Sequence, residues 1–401
     1  MGGQQTPGQP GPQAPDWQPP QQVGPAQPTP EQPVPGQPVP GQYAGQPMPM
    51  GQHPNFGAPY APVLQPVTKP PATPQRPASY YQFLRTPRWR WWRPLVALLI
   101  LGAGVFAANV IVVIPMIVHQ LMTQGAQADL SLTTMTPLML LLTNLGLAAC
   151  IPIGMLAEKA GYGSAGRWLH SVQRRFRWKW FGLSLVIFLG FSLVQYGIEF
   201  ALAPEALKPE REWLAYLLVV LLTTPFQCAG EEYLARGVVG RAVASWIGHE
   251  YAALVVGAIF SSAVFMALHA STDLWLNLSY FSWAFVLSVA CWLFGGLETA
   301  VAAHIVNNLL AFGVSIGFGQ MGSVMERESG AGSPMMLMMT AIAVLAVAVL
   351  WKLFGRSGLS RLSDPVLTAG VVPAEASGAM PDARAASGQY EQPPSNPDSM
   401  T

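Results

Sequence analysis

Residues 213–240 read WLAYLLVVLLTTPFQCAGEEYLARGVVG. From Trp213 to Gly230 no side chain carries a charge. At about 1.5 Å per residue, an uncharged helix of this length covers most of a hydrocarbon core about 30 Å thick. The run then meets Glu231, Glu232 and Arg236. Ionisable groups inside a membrane span are costly, so each is a functional candidate by default. The stretch therefore reads as a transmembrane helix, over 213–235, with chemistry at its end.

Outward from it, seven further apolar runs occupy 94–118, 134–156, 180–202, 251–271, 275–294, 297–317 and 334–354. Each is close to the length a helix needs to cross a bilayer. A helix satisfies its own backbone hydrogen bonds in lipid, so the expected fold is all-α, a polytopic bundle of eight transmembrane helices. Composition agrees: of 401 residues 51% are apolar and only 10% are charged, against about a quarter charged in soluble domains. The net charge of +1 suggests no nucleic-acid partner. Cys150, Cys228 and Cys291 all fall in apolar runs and form no CxxC pair, against a disulfide framework.

Residues 1–84 are rich in Pro, Gln and Gly, with near-repeats such as VPGQPVPGQ. They are expected to be a disordered cytoplasmic tail, because they cannot bury enough apolar surface to offset their ordering entropy. The membrane domain is expected over 85–355 and a second disordered tail over 356–401. The first apolar run begins near Pro94, too late for a secretory signal peptide.

Loop charges orient the bundle. Arg85, Arg88, Arg90 and Arg93, interleaved with Trp89, Trp91 and Trp92, precede the first run. Lys159, Arg167, Arg174, Arg175, Arg177 and Lys179 lie between the second and third, Arg241 follows the fourth, and Lys352, Arg356 and Arg361 follow the last. The alternate loops carry only Lys208, Arg211 and Arg327. The expected location is a bacterial plasma membrane, with both termini cytoplasmic.

The intramembrane polar residues are grouped. Beside Glu231, Glu232 and Arg236, the fifth run ends on Phe265 and His269, and the seventh holds Glu298, His304, Asn307 and Asn308. Glu232 and Arg236 are i,i+4 and can pair. Glu231 is turned about 100° away and has no evident local partner. His304 and Asn308 share a face. A hairpin turning near Gly248 would put Glu231 and His269 at similar depth. A carboxylate and an imidazole can hold a water, either acting as general base while the water attacks a carbonyl. A second imidazole and a carboxamide can donate to the developing oxyanion. Alternatively Glu231, His269 and His304 could bind zinc and leave a fourth position for water. The residues alone leave both routes open.

These motifs resemble those of the CPBP (Abi) family of CAAX-type intramembrane proteases. EEYLAR fits its EExxxR motif, FMALH its FxxxH motif and HIVNN its HxxxN/D motif, in the family's order on separate runs within 180–355. The resemblance implies that Glu231 and His269 activate the water, that His304 and Asn308 form the oxyanion site, and that Glu232 and Arg236 support the first motif. It implies an endopeptidase acting on a peptide or lipidated protein substrate in contact with membrane lipid. The family has been described both as metal-dependent and as glutamate-type, and activation without zinc is the reading favoured here.

Blander readings apply to the rest. Glu232 and Arg236 read as a structural ion pair, Glu298 and Glu199 as interfacial, and Phe265 as packing against the site. His249 and Glu250 read as a wet loop. His53, His119 and His170 show no convincing partner. The competing function is a non-catalytic membrane scaffold or a bacteriocin-immunity-type binding protein. A secondary transporter is disfavoured because no inverted repeat is visible.

Overall fold

The structure, a computed structural model, describes residues 70–125, 135–202, 204 and 206–368. The Pro/Gln tail over 1–69 and the chain beyond 368, both expected to be disordered, lie outside the described residues.

Among the described residues eight helical spans are long and apolar enough to cross a membrane, and there is no strand. The spans are α1 (Arg93–Gln124); α2 (Pro137–Ala148) running into α3 (Cys150–Tyr162); and α4 (Trp178–Leu202). Then come α5 (Trp213–Glu232), continued through a π-helical segment (Tyr233–Gly240) into α6 (Arg241–Ala244); α7 (Glu250–Leu268); α8 (Leu274–Phe294); α9 (Glu298–Gly317); and α10 (Leu337–Phe354). Large apolar side chains such as Leu99, Phe106, Val186 and Leu222 point outward and exposed. Only a hydrocarbon surround makes that favourable, and the chain is an integral membrane protein.

Two expected runs differ in form. The run expected over 134–156 is two helices that meet at Ala149 and continue to Tyr162. The run expected to stop at 235 continues to Ala244, because the π segment keeps the backbone bonded while adding width.

Loop contacts define two ends of the bundle. At one end Leu297 N donates to His170 O (2.9 Å), Gln82 Nε2 to Ile247 O (2.9 Å) and Ser363 N to Ala78 O (2.9 Å). Most of the loop arginines and lysines are on these segments. At the other end Lys208 N donates to Gly317 O (3.0 Å) and Thr272 N to Arg327 O (2.9 Å).

The packed chain begins earlier than the boundary at 84. Tyr80, Tyr81, Phe83 and Leu84 are buried. Tyr80 and Phe83 lie against the Arg241 guanidinium, at 4.8 and 5.2 Å from ring centre to Cζ, while Arg241 pairs with buried Glu158 at 3.0 Å. The buried Tyr80 and Phe83 rings supply the apolar area that the Pro/Gln repeats lack. At the far end Ser363 is likewise buried, so the packed chain also runs past 356.

Candidate active site

α5 delivers the carboxylates. It is fixed against α2 at Gly230, where a Cβ would stand 2.0 Å from Leu147 O, so only glycine permits this approach. Asn144 Nδ2 adds a bond to Thr223 Oγ1 at 2.8 Å. The next two residues are Glu231 and Glu232, at the junction of α5 with the π segment. Single turns of π-helix concentrate at functional sites because they redirect side chains without breaking the helix.

Glu232 is fully buried. Its Oε1 accepts from Arg236 Nη1 at 3.0 Å and lies 2.8 Å from His304 Nδ1. The arginine head sits 4.6 Å over the Phe265 ring. The expected Glu232–Arg236 pair is present, and it also holds His304, which sequence spacing did not reveal. A carboxylate on Nδ1 fixes the imidazole's orientation and directs Nε2 outward. That Nε2 faces Glu231 Oε2 at 3.8 Å.

Glu231 is partly exposed, its side chain 16% accessible. It does have a local partner: Gln227 Nε2, one turn earlier, donates to Glu231 Oε1. Gln227 Oε1 accepts from Asn308 Nδ2 at 3.3 Å, and Asn307 Nδ2 donates to Asn308 Oδ1 at 3.1 Å. Sequence reading passed over Gln227. Its signal was available, an amide within an otherwise apolar span.

α7 ends at Leu268, and His269 caps it. His269 Nδ1 lies 2.8 Å from Phe265 O, which leaves Nε2 for other partners. Tyr280 of α8 lies along the ring, 4.1 Å between centroids. Phe265 touches both histidines, 4.6 Å from the His269 ring and 5.8 Å from that of His304. Residues of three separate runs thus meet around one aromatic ring. α7 stops beside the middle of α9: His304 is thirteen residues, about 20 Å, before Gly317.

The zinc alternative requires Glu231, His269 and His304 to converge. Among the described residues no three His, Cys, Asp or Glu side chains are grouped so as to hold a metal ion. As arranged here, Glu231, His269 and His304 do not form such a group. A cavity of about 720 Å³, lined in part by Pro77, Gln173, Arg175 and Ser363, lies at the basic end and includes none of the motif residues.

Three other residues depart from expectation. Glu298 is not interfacial but fully buried, its Oε2 2.6 Å from Arg177 Nη2 and its Oε1 2.8 Å from Arg177 Nε. A carboxylate next to the sharp Gly295–Gly296 turn can be sealed because a guanidinium fork satisfies both its oxygens. His170 has a partner, Tyr233 of the π segment, through Nδ1 and the phenol oxygen. Glu250 opens α7 and accepts from Arg361 Nη1 (3.1 Å) and Trp292 Nε1 (3.0 Å). Glu199 accepts from Gln195 Nε2 at 3.1 Å on its own helix.

Residues 211–310 match the model of a family described as type II CAAX prenyl endopeptidase Rce1-like. No curated protein and no solved structure matches the chain. The matched stretch runs from the start of α5 into α9 and contains Gln227 and every motif residue from Glu231 to Asn308. Over residues 211–310, this membrane protein is thus similar to the Rce1-like family of CAAX-type proteases.

Proposed function

We propose that the chain is an intramembrane endopeptidase of the CAAX prenyl protease type, hydrolysing a peptide bond of a membrane-associated, lipidated substrate with water activated by Glu231 and His269. The observation that carries this reading is the junction at His304. There α5 supplies one carboxylate to Nδ1 at 2.8 Å and another facing Nε2, and α7 supplies the ring between the two histidines.

In this mechanism Glu231 and Nε2 of His269 hold the attacking water. Glu231 takes one water proton as the oxygen bonds to the scissile carbonyl carbon. The carbonyl oxygen becomes an oxyanion, met by the remaining N–H of Asn308 and by Nε2–H of His304, whose Nδ1 stays with Glu232. The tetrahedral intermediate collapses, the C–N bond breaks, and Glu231 returns the proton to the leaving amine. Glu232 and Arg236 touch no substrate; they hold His304. Phe265 separates the two imidazoles and limits water to the reacting face.

For orientation, the basic end is proposed to face the cytoplasm, with the described termini there. Water-soluble thiol reagents applied to intact cells would then label a cysteine placed at Lys208 and spare one placed at Ser360.

The test is cleavage of a farnesylated C-terminal peptide by the protein in liposomes, with the cut position read by mass spectrometry. Cleavage within the last residues, absent in His269→Ala, supports the reading. Absence of cleavage across lipidated and unlipidated peptides would favour the scaffold instead.

A further inference from the structure

We infer that Gln227 is a positioning residue that locks the water-activating and oxyanion-binding halves of the site at a fixed separation. This rests on the protease reading for its functional meaning. Gln227 is buried in the last turns of α5. Its amide has two ends, and each is used by a different half. Nε2 donates to Glu231, the proposed base, and Oε1 accepts from Asn308, a proposed oxyanion donor, at 3.3 Å. The Cys228 thiol adds a weaker bond to the same oxygen, at 3.4 Å.

The consequence for Asn308 is directional. Asn307 holds its carbonyl oxygen at 3.1 Å, and Gln227 takes one of its two N–H groups. The carboxamide cannot flip without breaking both contacts, so one N–H is left pointing into the site. The same bridge denies Glu231 free rotation, since one of its oxygens is engaged and the other faces His304. A carboxamide suits this task because it donates and accepts at once, and no ionised side chain does both.

The test uses the full-length protein in detergent, with Gln227→Met, Asn307→Ala, Asn308→Ala and the Gln227→Met/Asn308→Ala pair. For Gln227→Met kcat should fall roughly tenfold to a hundredfold, by analogy with loss of an oxyanion donor, while KM stays within about twofold. Asn307→Ala, at a half-buried position, should lower kcat in the same direction and by less. The paired variant should lose less than the product of the two single losses, because both act on one arrangement.

A second readout does not depend on turnover. The carboxylate stretch of Glu231, identified by infrared difference against Glu231→Gln, should shift in Gln227→Met. An unshifted band would overturn the inference even in an active protein. Multiplicative losses would overturn it too. A shifted band in a protein that cleaves nothing would leave the bridge standing and sink the protease reading instead.

Discussion

His304 and Glu232 are joined through Nδ1 and Oε1 at 2.8 Å, with both side chains sealed from solvent. The same oxygen holds Arg236 at 3.0 Å. The two adjacent glutamates are therefore unlike. One is an anchor inside the bundle; the other is partly accessible and faces the free nitrogen of the histidine that the first one holds.

Glu232→Ala strands a buried guanidinium and an imidazole, and should cost about 3–5 kcal/mol of stability. Glu231→Ala removes a partly exposed group and should cost about 1 kcal/mol or less. Thermal melting in one detergent compares the two directly. Equal losses would contradict the division of roles.

Arg177 and Glu298 form a second sealed pair that ties the loop after α3 to the start of α9. Arg177 uses Nε, Nη2 and its backbone N on the carboxylate, and Nη1 on Phe294 O at 2.7 Å. Lysine cannot reproduce that fork. Arg177→Lys should lower stability nearly as much as Arg177→Ala, about 3 kcal/mol or more, measured by the same melting assay. Recovery by lysine would show that charge alone suffices.

These two pairs mark where sequence reading ran out. Uncharged runs and their lengths placed eight spans, because hydrophobic length is written locally. The motif spacing placed Glu231, His304 and Asn308 on helices that could face one another. What stayed hidden depends on long-range approach. Arg177 reaches Glu298 across 121 positions of chain. Gln227 looked like one amide in an apolar run until Asn308 arrived beside it. The aromatic pair Tyr80 and Phe83 was lost within a stretch whose average composition argued for a tail. Residues there are ordered by Arg241, which averaging over a window does not register.

His170 links the basic-end loop to Tyr233, immediately after the two glutamates. Burial holds its pKa below the usual value, with Arg167 acting the same way and Glu298 opposing. The folded state therefore favours the neutral ring. Stability should be fully present above about pH 6.5, the ordinary histidine value, and should decline as pH falls below it, since the unfolded chain takes the proton more readily. Melting temperatures at pH 7.5 and 5.5, in wild type and His170→Gln, measure this. The variant should lose less on acidification than the wild type does.

Metal dependence separates the two chemistries proposed for such a site. Because the donor set does not converge as a zinc site, peptide cleavage should survive 1,10-phenanthroline, with less than about twofold loss. Inhibition by the chelator and recovery with added zinc would require the side chains to regroup around an ion, and would overturn glutamate activation.

Glu231 is proposed as the group that takes the proton from water. The direct measurement is the single-turnover cleavage rate of a quenched-fluorescent farnesylated CAAX peptide by wild type and by Glu231→Gln, with melting checked in parallel. The amide keeps the shape and a bond to Gln227 but cannot act as base. A loss of at least roughly a hundredfold at unchanged melting temperature is the predicted result. Equal rates in the two proteins would contradict it.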